Sequence, residues 1–368
     1  MTRPVLFVTN LVAPDRVGAF AALHARTPIE LALFGGRSHH ATGAVDDPGV
    51  PHRHVSQNDV HALAASGRYR AVVCGTAGRT ALPAAYLGAR RARLPFVLWS
   101  ALWAHLQTPA HLAARPLMAH VYRHADHVVT YGEHVSAFAR AQGARRVSVA
   151  PQAVDNAFWA TAPDGPGPDV PGLTEIRRTF VAMFAGRAVR EKGVKELLES
   201  WRASRLASAP AALVLAGVSP DLVRADAGGA VFGVGHQDPE SLRNFLAVAN
   251  VVVIPSIPTR TFREPWGLIA NEAMNQRLPI IATDAVGAAA GGLVRHERNG
   301  LIVAAGDTGA LASALRRLQA DPQLARTLGD QGARDVAAFT HDAWAAAFAA
   351  ALHGEDRVAT PSTQRKDC

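Results

Sequence analysis

Short apolar runs alternate with longer amphipathic segments along most of the chain. The runs are rich in Val, Ile, Leu and Ala and end at Gly, Pro or polar residues, as buried strands do. Because strands that alternate with helices are typical of a parallel sheet covered on both faces, the pattern predicts an α/β protein with doubly wound sheets. The predicted strands are 4–9, 29–34, 71–74, 95–99, 126–130 and 146–150, then 179–184, 211–216, 250–254 and 278–283.

Segments with apolar residues at helical spacing connect these strands. The last of them carries Trp344, Phe348 and Leu352 at four-residue intervals, which puts the three side chains on one face and predicts core packing. Residues 35–59 are rich in Gly, His, Asp and Pro and are predicted to be loop. The predicted helices are 18–24, 59–67, 79–91, 109–124, 194–206, 238–248, 268–276, 307–320, 322–338 and 341–353.

A Pro- and Gly-rich segment, 161–172, separates the two halves. It holds four Pro and three Gly, a composition that suits neither a helix nor a central strand. A length of 368 residues is enough for two domains of ordinary size. We therefore predict a first domain at 1–165, a second at 173–338, a last helix at 339–353 and a disordered polar tail at 354–368.

Composition and charge exclude several classes of protein. Hydrophobic residues make up 49% of the chain and charged residues 18%, which is typical of a globular protein, and no apolar run is long enough to span a membrane. The net charge is +8, but the basic residues, 35 Arg and three Lys, are scattered, so nucleic acid is not a predicted partner. A contact between a basic face and an anionic membrane stays open. Two cysteines and no recognisable leader favour a reducing cytoplasm.

Metal sites are not predicted. His39, His40, His52, His54 and His61 are close in sequence, but no Cys accompanies them and the segment has a loop composition, which favours solvated histidines. No Asp-x-Asp occurs anywhere, so a metal-bridged diphosphate is not supported. The phosphate-binding pattern Gly-x-x-x-x-Gly-Lys and the dinucleotide pattern Gly-x-Gly-x-x-Gly are also absent from the sequence.

Two carboxylates eight positions apart flank a helix-opening signal. Glu264 precedes Pro265, Trp266 and Gly267, and Glu272 lies a turn into the helix predicted from Leu268. Amide groups at a helix N-terminus bind anions, and carboxylates accept hydrogen bonds from hydroxyls, so the arrangement suits a phosphate-linked sugar. On spacing alone, a helix with two solvated glutamates is the better interpretation.

Two cations follow the first strand of the second half. Arg187 and Lys192 lie on a loop that begins at Gly186 and leads into the next predicted helix. A guanidinium and an ammonium on such a loop can together neutralise a diphosphate. Two ordinary surface cations are the alternative.

The second half resembles a known family through these motifs. The segment 264–274 is similar to the Glu-x7-Glu signature of the retaining nucleotide-sugar glycosyltransferases of the GT4 family, and 185–193, 279–287 and 299–303 are similar to its neighbouring motifs. The first half resembles the family only in layout. The resemblance implies the GT-B fold, in which two Rossmann-like doubly wound parallel-sheet domains face a cleft and the C-terminal helix crosses back to the first domain.

The resemblance also implies roles for particular residues. Arg187 and Lys192 would contact the donor diphosphate and stabilise it as it leaves, with Glu264 on the hydroxyls of the sugar and Glu272 on the ribose. The donor would be a UDP or GDP sugar, with no cofactor and no metal. The other residues implied in donor binding are Gly267, Leu268 and Ile269 at the helix start, Gly235 and His236 beside the nucleobase, and Gly18 at the head of the first helix.

The acceptor side is less well defined. Trp103 and His105 follow a predicted strand end, where parallel sheets place ligands, and are candidates for the acceptor pocket, although Trp103 also suits the core. The family often has a His or an acidic residue just after this strand, and this chain has Ser100 and Ala101 there.

A retaining hexosyltransferase is therefore the predicted function, with a small-molecule, glycan or lipid-linked acceptor and a monomer or homodimer as its assembly. A nucleotide-sugar epimerase or a phosphorylase on the same fold is an alternative, although a phosphorylase usually needs a cofactor-binding lysine and lysine is scarce here. A non-enzymatic module that binds nucleotide sugars is another alternative.

Overall fold

A computed structural model describes residues 3–36, 45–162, 180–208, 210–224 and 230–354. The chain divides into two compact units, the first formed by Met1–Ala153 with Ala338–Cys368 and the second by Val154–Ala337. Most of the predicted boundary segment at 161–172, His39 and His40, and the tail after residue 354 lie outside the described residues.

The first unit contains a parallel sheet of seven strands. Its order is β3-β2-β1-β4-β5-β6-β7, so the chain first runs outward on one side of β1 and then, from β4, on the other. The four central strands are buried along their whole length, as expected for a sheet covered on both faces. The strands are β1 Val5–Thr9, β2 Ile29–Leu33, β3 His52–His54, β4 Ala71–Gly75, β5 Phe96–Ser100, β6 His127–Thr130 and β7 Val147–Val149.

The second unit contains a parallel sheet of six strands in the order β10-β9-β8-β11-β12-β13. Here the chain reverses direction between β8 and β11, which are neighbours in the sheet: Val251 pairs with Ala182 and Val252 with Met183. The strands are β8 Phe180–Ala185, β9 Ala211–Ala216, β10 Val231–Gly235, β11 Val251–Ile254, β12 Ile280–Thr283 and β13 Gly300–Val303. The predicted doubly wound α/β class is confirmed in both units.

Helices connect the strands much as the periodicity predicts. The helix predicted at 109–124 has those bounds, and most others differ by one to four residues at an end. The helices are α1 Pro14–Arg26, α2 Val60–Ala64, α3 Ala81–Arg91, α4 Pro109–His124, α5 Glu133–Ala141, α6 Asn156–Ala160, α7 Val194–Ser204, α8 Pro220–Arg224, α9 Pro239–Val248, α10 Ile269–Asn275, α11 Gly287–Ala290, α12 Thr308–Ala320, α13 Pro322–Val336 and α14 His341–His353. None of the helices within the described ranges is long and apolar enough to cross a membrane.

Some short elements were missed or misplaced. The segment 35–59 was predicted to be loop, yet it contains β3, which pairs with β2 at the edge of the sheet. This strand was missed because its three residues, His-Arg-His, form no apolar run. Strands β10 and β13 contain Gly, and α5 is only nine residues long, which hid them in the same way. The first helix begins at Pro14 and not at Gly18, because proline is well suited to the first turn of a helix.

The last helix returns to the first unit. Trp344 and Phe348 on α14 are fully buried, and their rings lie 5.5 Å from Phe20 and 5.6 Å from Phe7, respectively, between ring centroids. A Cβ atom on Gly18 would lie 2.3 Å from Nδ1 of His341, so a larger residue there would displace this imidazole from its place between α1 and α14. The predicted core packing of this apolar stripe is confirmed, with Leu352 partly buried at its end.

Candidate active site

The loop after β8 is fixed to the segment that follows β11. Arg190–Lys192 forms a single 3₁₀ turn, and Gly193 ends it in the left-handed conformation with a φ of 69°. A Cβ atom on Gly193 would lie 2.0 Å from the carbonyl oxygen of Pro255, so this position requires glycine for both its conformation and its contact. The amide of Ile257 donates to the carbonyl of Glu191 at 2.9 Å.

This attachment brings Lys192 to Glu264. The ammonium of Lys192 donates to Oε2 of Glu264, and the hydroxyl of Ser256 donates to the same oxygen at 3.3 Å. The Glu264 side chain is only 8% exposed and that of Lys192 is 21% exposed, so the ion pair is largely shielded from water. A buried carboxylate needs such partners, which accounts for the position of both donors.

Main-chain contacts hold Glu264 and the residues after it in place. The carbonyl of Glu264 accepts from the amide of Gly287 at 3.1 Å, and that of Trp266 accepts from Ala288 at 2.7 Å. A Cβ atom on Gly287 would lie 1.9 Å from the carbonyl oxygen of Pro265. The start of α11 therefore rests directly on the Glu-Pro-Trp-Gly segment.

The start of α10 follows this segment. Gly267 has a φ of 90°, and the Trp266 indole donates to Oδ1 of Asn271 at 2.8 Å inside the protein. Among the described residues, the amides of Leu268 and Ile269 have no hydrogen-bond acceptor. The predicted helix is confirmed within one residue at each end, and it places Glu272 in the first turn, partly exposed.

Arg187 lies two residues after β8 and is partly exposed. Within the described part of the chain its guanidinium forms no hydrogen bond and no ion pair. Arg187 and Lys192 follow β8, and Ser256 and Glu264 follow β11, so both pairs lie where the sheet order reverses. In open parallel sheets, ligands bind outside the carboxyl ends of the strands at this switch point.

Gly235 and His236 lie at the end of β10, two strands away from β8. Gly235 adopts a φ of 66°, donates to the carbonyl of Val218 at 2.8 Å and accepts from the amide of Gly217 at 2.6 Å. His236 is exposed. A Cβ atom on Gly217 would lie 2.3 Å from the carbonyl oxygen of Gly186, so the loops after β8, β9 and β10 are packed against each other by their backbones.

The two candidates for the acceptor side lie on the loop after β5. The Trp103 ring meets the imidazole of His134 edge-on at 4.8 Å, and the His105 ring lies 5.0 Å from Phe138, both between centroids. The pKa of His105 lies below its usual value because partial desolvation disfavours the imidazolium, with added repulsion from Arg115. Their role stays a prediction.

The predicted helix start at Gly18 is wrong, because α1 begins at Pro14. Gly18 lies inside this helix and packs closely against His341. Its contact with a donor stays a prediction without a structural observation in its favour. No group of three or more His, Cys, Asp or Glu side chains able to hold a metal ion occurs in the described segments.

Sequence reasoning missed two contributors to this site. These are Ser256, whose hydroxyl donates to Glu264, and Asn271, which accepts from the Trp266 indole. Neither residue belongs to a recognisable sequence motif, because each contact forms only when the loop after β11 and the start of α10 take up their folded positions.

Comparison with solved structures identifies the fold class. The structure of Anabaena HepE in complex with UDP-glucose matches with a TM-score of 0.70 over 95% of this chain and 99% of that protein, at 18% identity. Sucrose-phosphate synthase from Thermosynechococcus elongatus matches with a TM-score of 0.71 over 96% of this chain and 98% of that protein, at 20% identity. Such identities speak for the fold alone, and the fold is GT-B, as predicted.

Sequence comparison finds relatives of the second half of the chain. Residues 179–321 match the model of glycosyl transferases group 1. The glycosyltransferase CapM of capsular polysaccharide biosynthesis from Staphylococcus aureus is 30% identical over 170 residues, 44% of this chain and 42% of that protein. A D-inositol 3-phosphate glycosyltransferase from Streptomyces coelicolor is 35% identical over 113 residues, 30% of this chain and 22% of that protein. The chain thus spans less than half the length of these curated relatives. Residues 179–321 are therefore similar to the group 1 glycosyltransferases.

Proposed function

We propose that the protein is a retaining glycosyltransferase. It moves a hexosyl group from a nucleoside-diphosphate sugar to a hydroxyl, or another nucleophile, of a small-molecule, glycan or lipid-linked acceptor. The observation that carries the proposal is the ion pair of Lys192 with Glu264 at the switch point of the second sheet, with Arg187 on the same loop as Lys192. The two cations suit a diphosphate, and the carboxylate suits the hydroxyls of a sugar.

Arg187 and Lys192 bind the donor diphosphate in this proposal. Arg187 has a guanidinium without a partner in the described residues, so it can take up phosphate oxygens without breaking an existing contact. The amides of Leu268 and Ile269 add hydrogen bonds. Because α10 has only seven residues, about two turns, its dipole is short and the two cations provide most of the charge compensation. Stabilising the departing diphosphate in this way is electrostatic catalysis by donors already in place.

Glu264 binds hydroxyls of the transferred sugar. Its ion pair with Lys192 fits this role, because the sugar and the phosphate that the lysine contacts are joined by one bond in the donor. A carboxylate engaged with Lys192 and Ser256 is better suited to accept hydrogen bonds than to attack the anomeric carbon. In the proposed front-face reaction the anomeric carbon separates from the diphosphate oxygen, bonds to the acceptor oxygen on the same face, and the acceptor proton passes to the departing phosphate.

Glu272 and the end of β10 complete the donor site. Glu272 is partly exposed in the first turn of α10 and is proposed to bind the ribose. Gly235 and His236 are proposed to lie beside the nucleobase, with a UDP or GDP sugar as the donor. The HepE complex contains UDP-glucose, so UDP-glucose is the first donor to test.

The test is release of nucleotide by purified variants with UDP-glucose, GDP-sugars and a panel of acceptors. Arg187→Ala and Glu264→Gln should lose roughly a hundredfold or more of the transfer rate, as does removal of one preorganised donor in other enzymes, while both remain folded. Arg190→Ala is the matched control, because Arg190 lies three residues away on the same loop and is exposed beside Glu196. Equal losses in Arg187→Ala and Arg190→Ala would refute the roles assigned here.

Two other outcomes would favour other functions. Conversion of a nucleotide sugar without acceptor and without nucleotide release would indicate an epimerase. Tight UDP binding without turnover on any acceptor would indicate a binding module. The anomer of the product, read by proton NMR, tests retention directly.

A peripheral contact with an anionic membrane is part of the proposal, together with a cytoplasmic location. Three of the four large apolar side chains that are exposed among the described residues, Leu87, Leu112 and Leu117, lie on α3 and α4. Helix α4 also carries Arg115 and Arg123 and contains no acidic residue. Cosedimentation with vesicles of phosphatidylglycerol but not of phosphatidylcholine is expected, and Leu112→Ser with Leu117→Ser should abolish it.

The assembly is proposed to be a monomer or a homodimer, and light scattering would decide between them.

A further inference from the structure

Four side chains of the first unit meet at the carboxyl edge of its sheet. Arg16 lies in the first turn of α1, directly after β1, and Trp99 lies near the end of β5. Tyr131 directly follows β6, and Gln152 follows β7. Parallel sheets bind ligands at this edge, so the position itself suits a binding site.

The guanidinium of Arg16 lies beside two adjacent aromatic rings, whose centroids are 5.7 Å apart. Its central carbon is 5.6 Å from the ring centroid of Trp99 and 5.7 Å from that of Tyr131. Nη2 donates to Oε1 of Gln152, and Nε lies 3.3 Å from a carboxylate oxygen of Asp15. The side chain is only 8% exposed, so its orientation is set by these contacts.

Two N–H groups in this cluster are left without an acceptor. Nη1 of Arg16 and Nε1 of Trp99 are both buried, and neither has a hydrogen-bond partner among the described residues. Buried donors in native proteins are nearly always paired, and an unpaired one weakens the fold. If Arg16 only held α1 against Gln152, its Nε and Nη2 atoms and its contact with the aromatic rings would be sufficient. That structural role does not account for its buried, unpaired Nη1.

The chemistry of the two donors restricts what can pair with them. Arginine and the indole donate hydrogen bonds and accept none. A phosphate or carboxylate oxygen only accepts, and guanidinium binds such oxygens through short, charge-assisted hydrogen bonds. A sugar hydroxyl can accept from the same donors but carries no charge, so the guanidinium favours an anionic oxygen.

We propose that Nη1 of Arg16 and Nε1 of Trp99 bind a phosphate or carboxylate group of the acceptor, so that the first unit selects an anionic acceptor. The proposal rests on the proposed glycosyltransferase function, because it assigns the site to the acceptor. Arg16 and Trp99 are then specificity-determining residues and take no part in breaking the donor bond.

The test uses the indole N–H signals of the full-length protein in NMR spectra. The Trp99 signal is assigned by its loss in Trp99→Phe, which keeps an aromatic ring and removes the donor. Methyl glucoside 6-phosphate or methyl glucuronide should shift this signal, and the uncharged methyl glucoside should not. Arg16→Gln should weaken binding of the anionic glycoside roughly tenfold to hundredfold. Arg26→Gln, at the far end of α1 and paired with Asp342, is the control and should leave binding unchanged.

Calorimetry with the same glycosides gives a second readout, in which Trp99→Phe should also weaken binding. Equal responses to the charged and uncharged glycosides, or no response to any of them, would overturn the proposal. So would an Arg16→Gln variant that loses UDP affinity as strongly as Arg187→Ala, because the anion would then be the donor diphosphate. If wild-type protein fails to bind UDP while the Trp99 signal still responds to the anionic glycosides, the donor assignment fails and this binding site stands.

Discussion

The Lys192–Glu264 ion pair offers a sharp quantitative test. Lys192→Met removes the ammonium while keeping most of the side-chain length, and leaves a Glu264 carboxylate that is 92% buried without its cation. Removing one partner of a fully buried pair costs about 3–5 kcal/mol, and an exposed pair contributes less than about 1 kcal/mol. Because Lys192 is 21% exposed and Glu264 is nearly buried, we expect about 2 kcal/mol.

This cost appears as a lower melting temperature of the second unit. In domains of this size, 1 kcal/mol corresponds to a shift of about 2–4 °C, so Lys192→Met should melt about 4–8 °C lower. Circular dichroism and urea titration measure the change. Glu264→Gln and the double variant complete a mutant cycle, whose coupling free energy should reach about 1–3 kcal/mol.

Lys195→Met is the matched control. Lys195 lies three residues away, its side chain is 75% exposed, and its ammonium is 3.8 Å from Glu199. Such a pair contributes little, so the variant should melt within about 1–2 °C of the wild type. Equal shifts for Lys192→Met and Lys195→Met, or a coupling near zero in the cycle, would refute the reasoning about burial.

Three further predictions concern the surroundings of the site. Gly193→Ala should lower both the stability and the nucleotide affinity, because Gly193 is in the left-handed conformation and a Cβ atom there would collide with the Pro255 carbonyl. The control is Gly292→Ala, which has a φ of 87° but open space around it, and the two variants are compared by thermal melting and UDP titration. Burial opposes ionisation of Asp335, but hydrogen bonds from Arg298, Gln331 and Asn299 outweigh it and hold the pKa below its usual value. The Asp335 carboxylate contributes this stability above its unfolded-state pKa of about 4, and the contribution is lost as the pH falls through its lower folded-state pKa. Asp335→Asn should therefore reduce the pH dependence of the melting temperature below about pH 4. Phe348→Ala should destabilise the first unit by about 3–5 kcal/mol, measured by urea unfolding, because it leaves a cavity in the core. Leu352 is only partly buried, so an equal loss of stability in Leu352→Ala would contradict the packing of α14.

The fold was predictable where the chain repeats a strong pattern. The apolar runs of β1, β4, β5 and β9 and the periodicity of α4 and α14 specify buried strands and amphipathic helices locally, and both sheets follow from their alternation. Strand β3 escaped prediction because His-Arg-His pairs only at a sheet edge. The start of α1 was misplaced because the stretch before Gly18 carries few apolar residues at helical spacing.

The site was predictable in part, for a different reason. Glu264, Arg187 and Lys192 stand in recognisable motifs, but the contact between Lys192 and Glu264 depends on the approach of Gly193 to the carbonyl of Pro255, 62 positions later in the sequence. The support of Glu264 by Ser256, and of Trp266 by Asn271, arises only once β11 and α10 are in place. The unpaired donors of Arg16 and Trp99 have no sequence signature at all.

A crystal structure of the protein with bound UDP tests the central claim most directly. We predict that the diphosphate lies at the carboxyl ends of β8 and β11, with its oxygens in hydrogen-bond contact with the Arg187 guanidinium and the Lys192 ammonium. UDP bound elsewhere, with both cations free of phosphate, would contradict it.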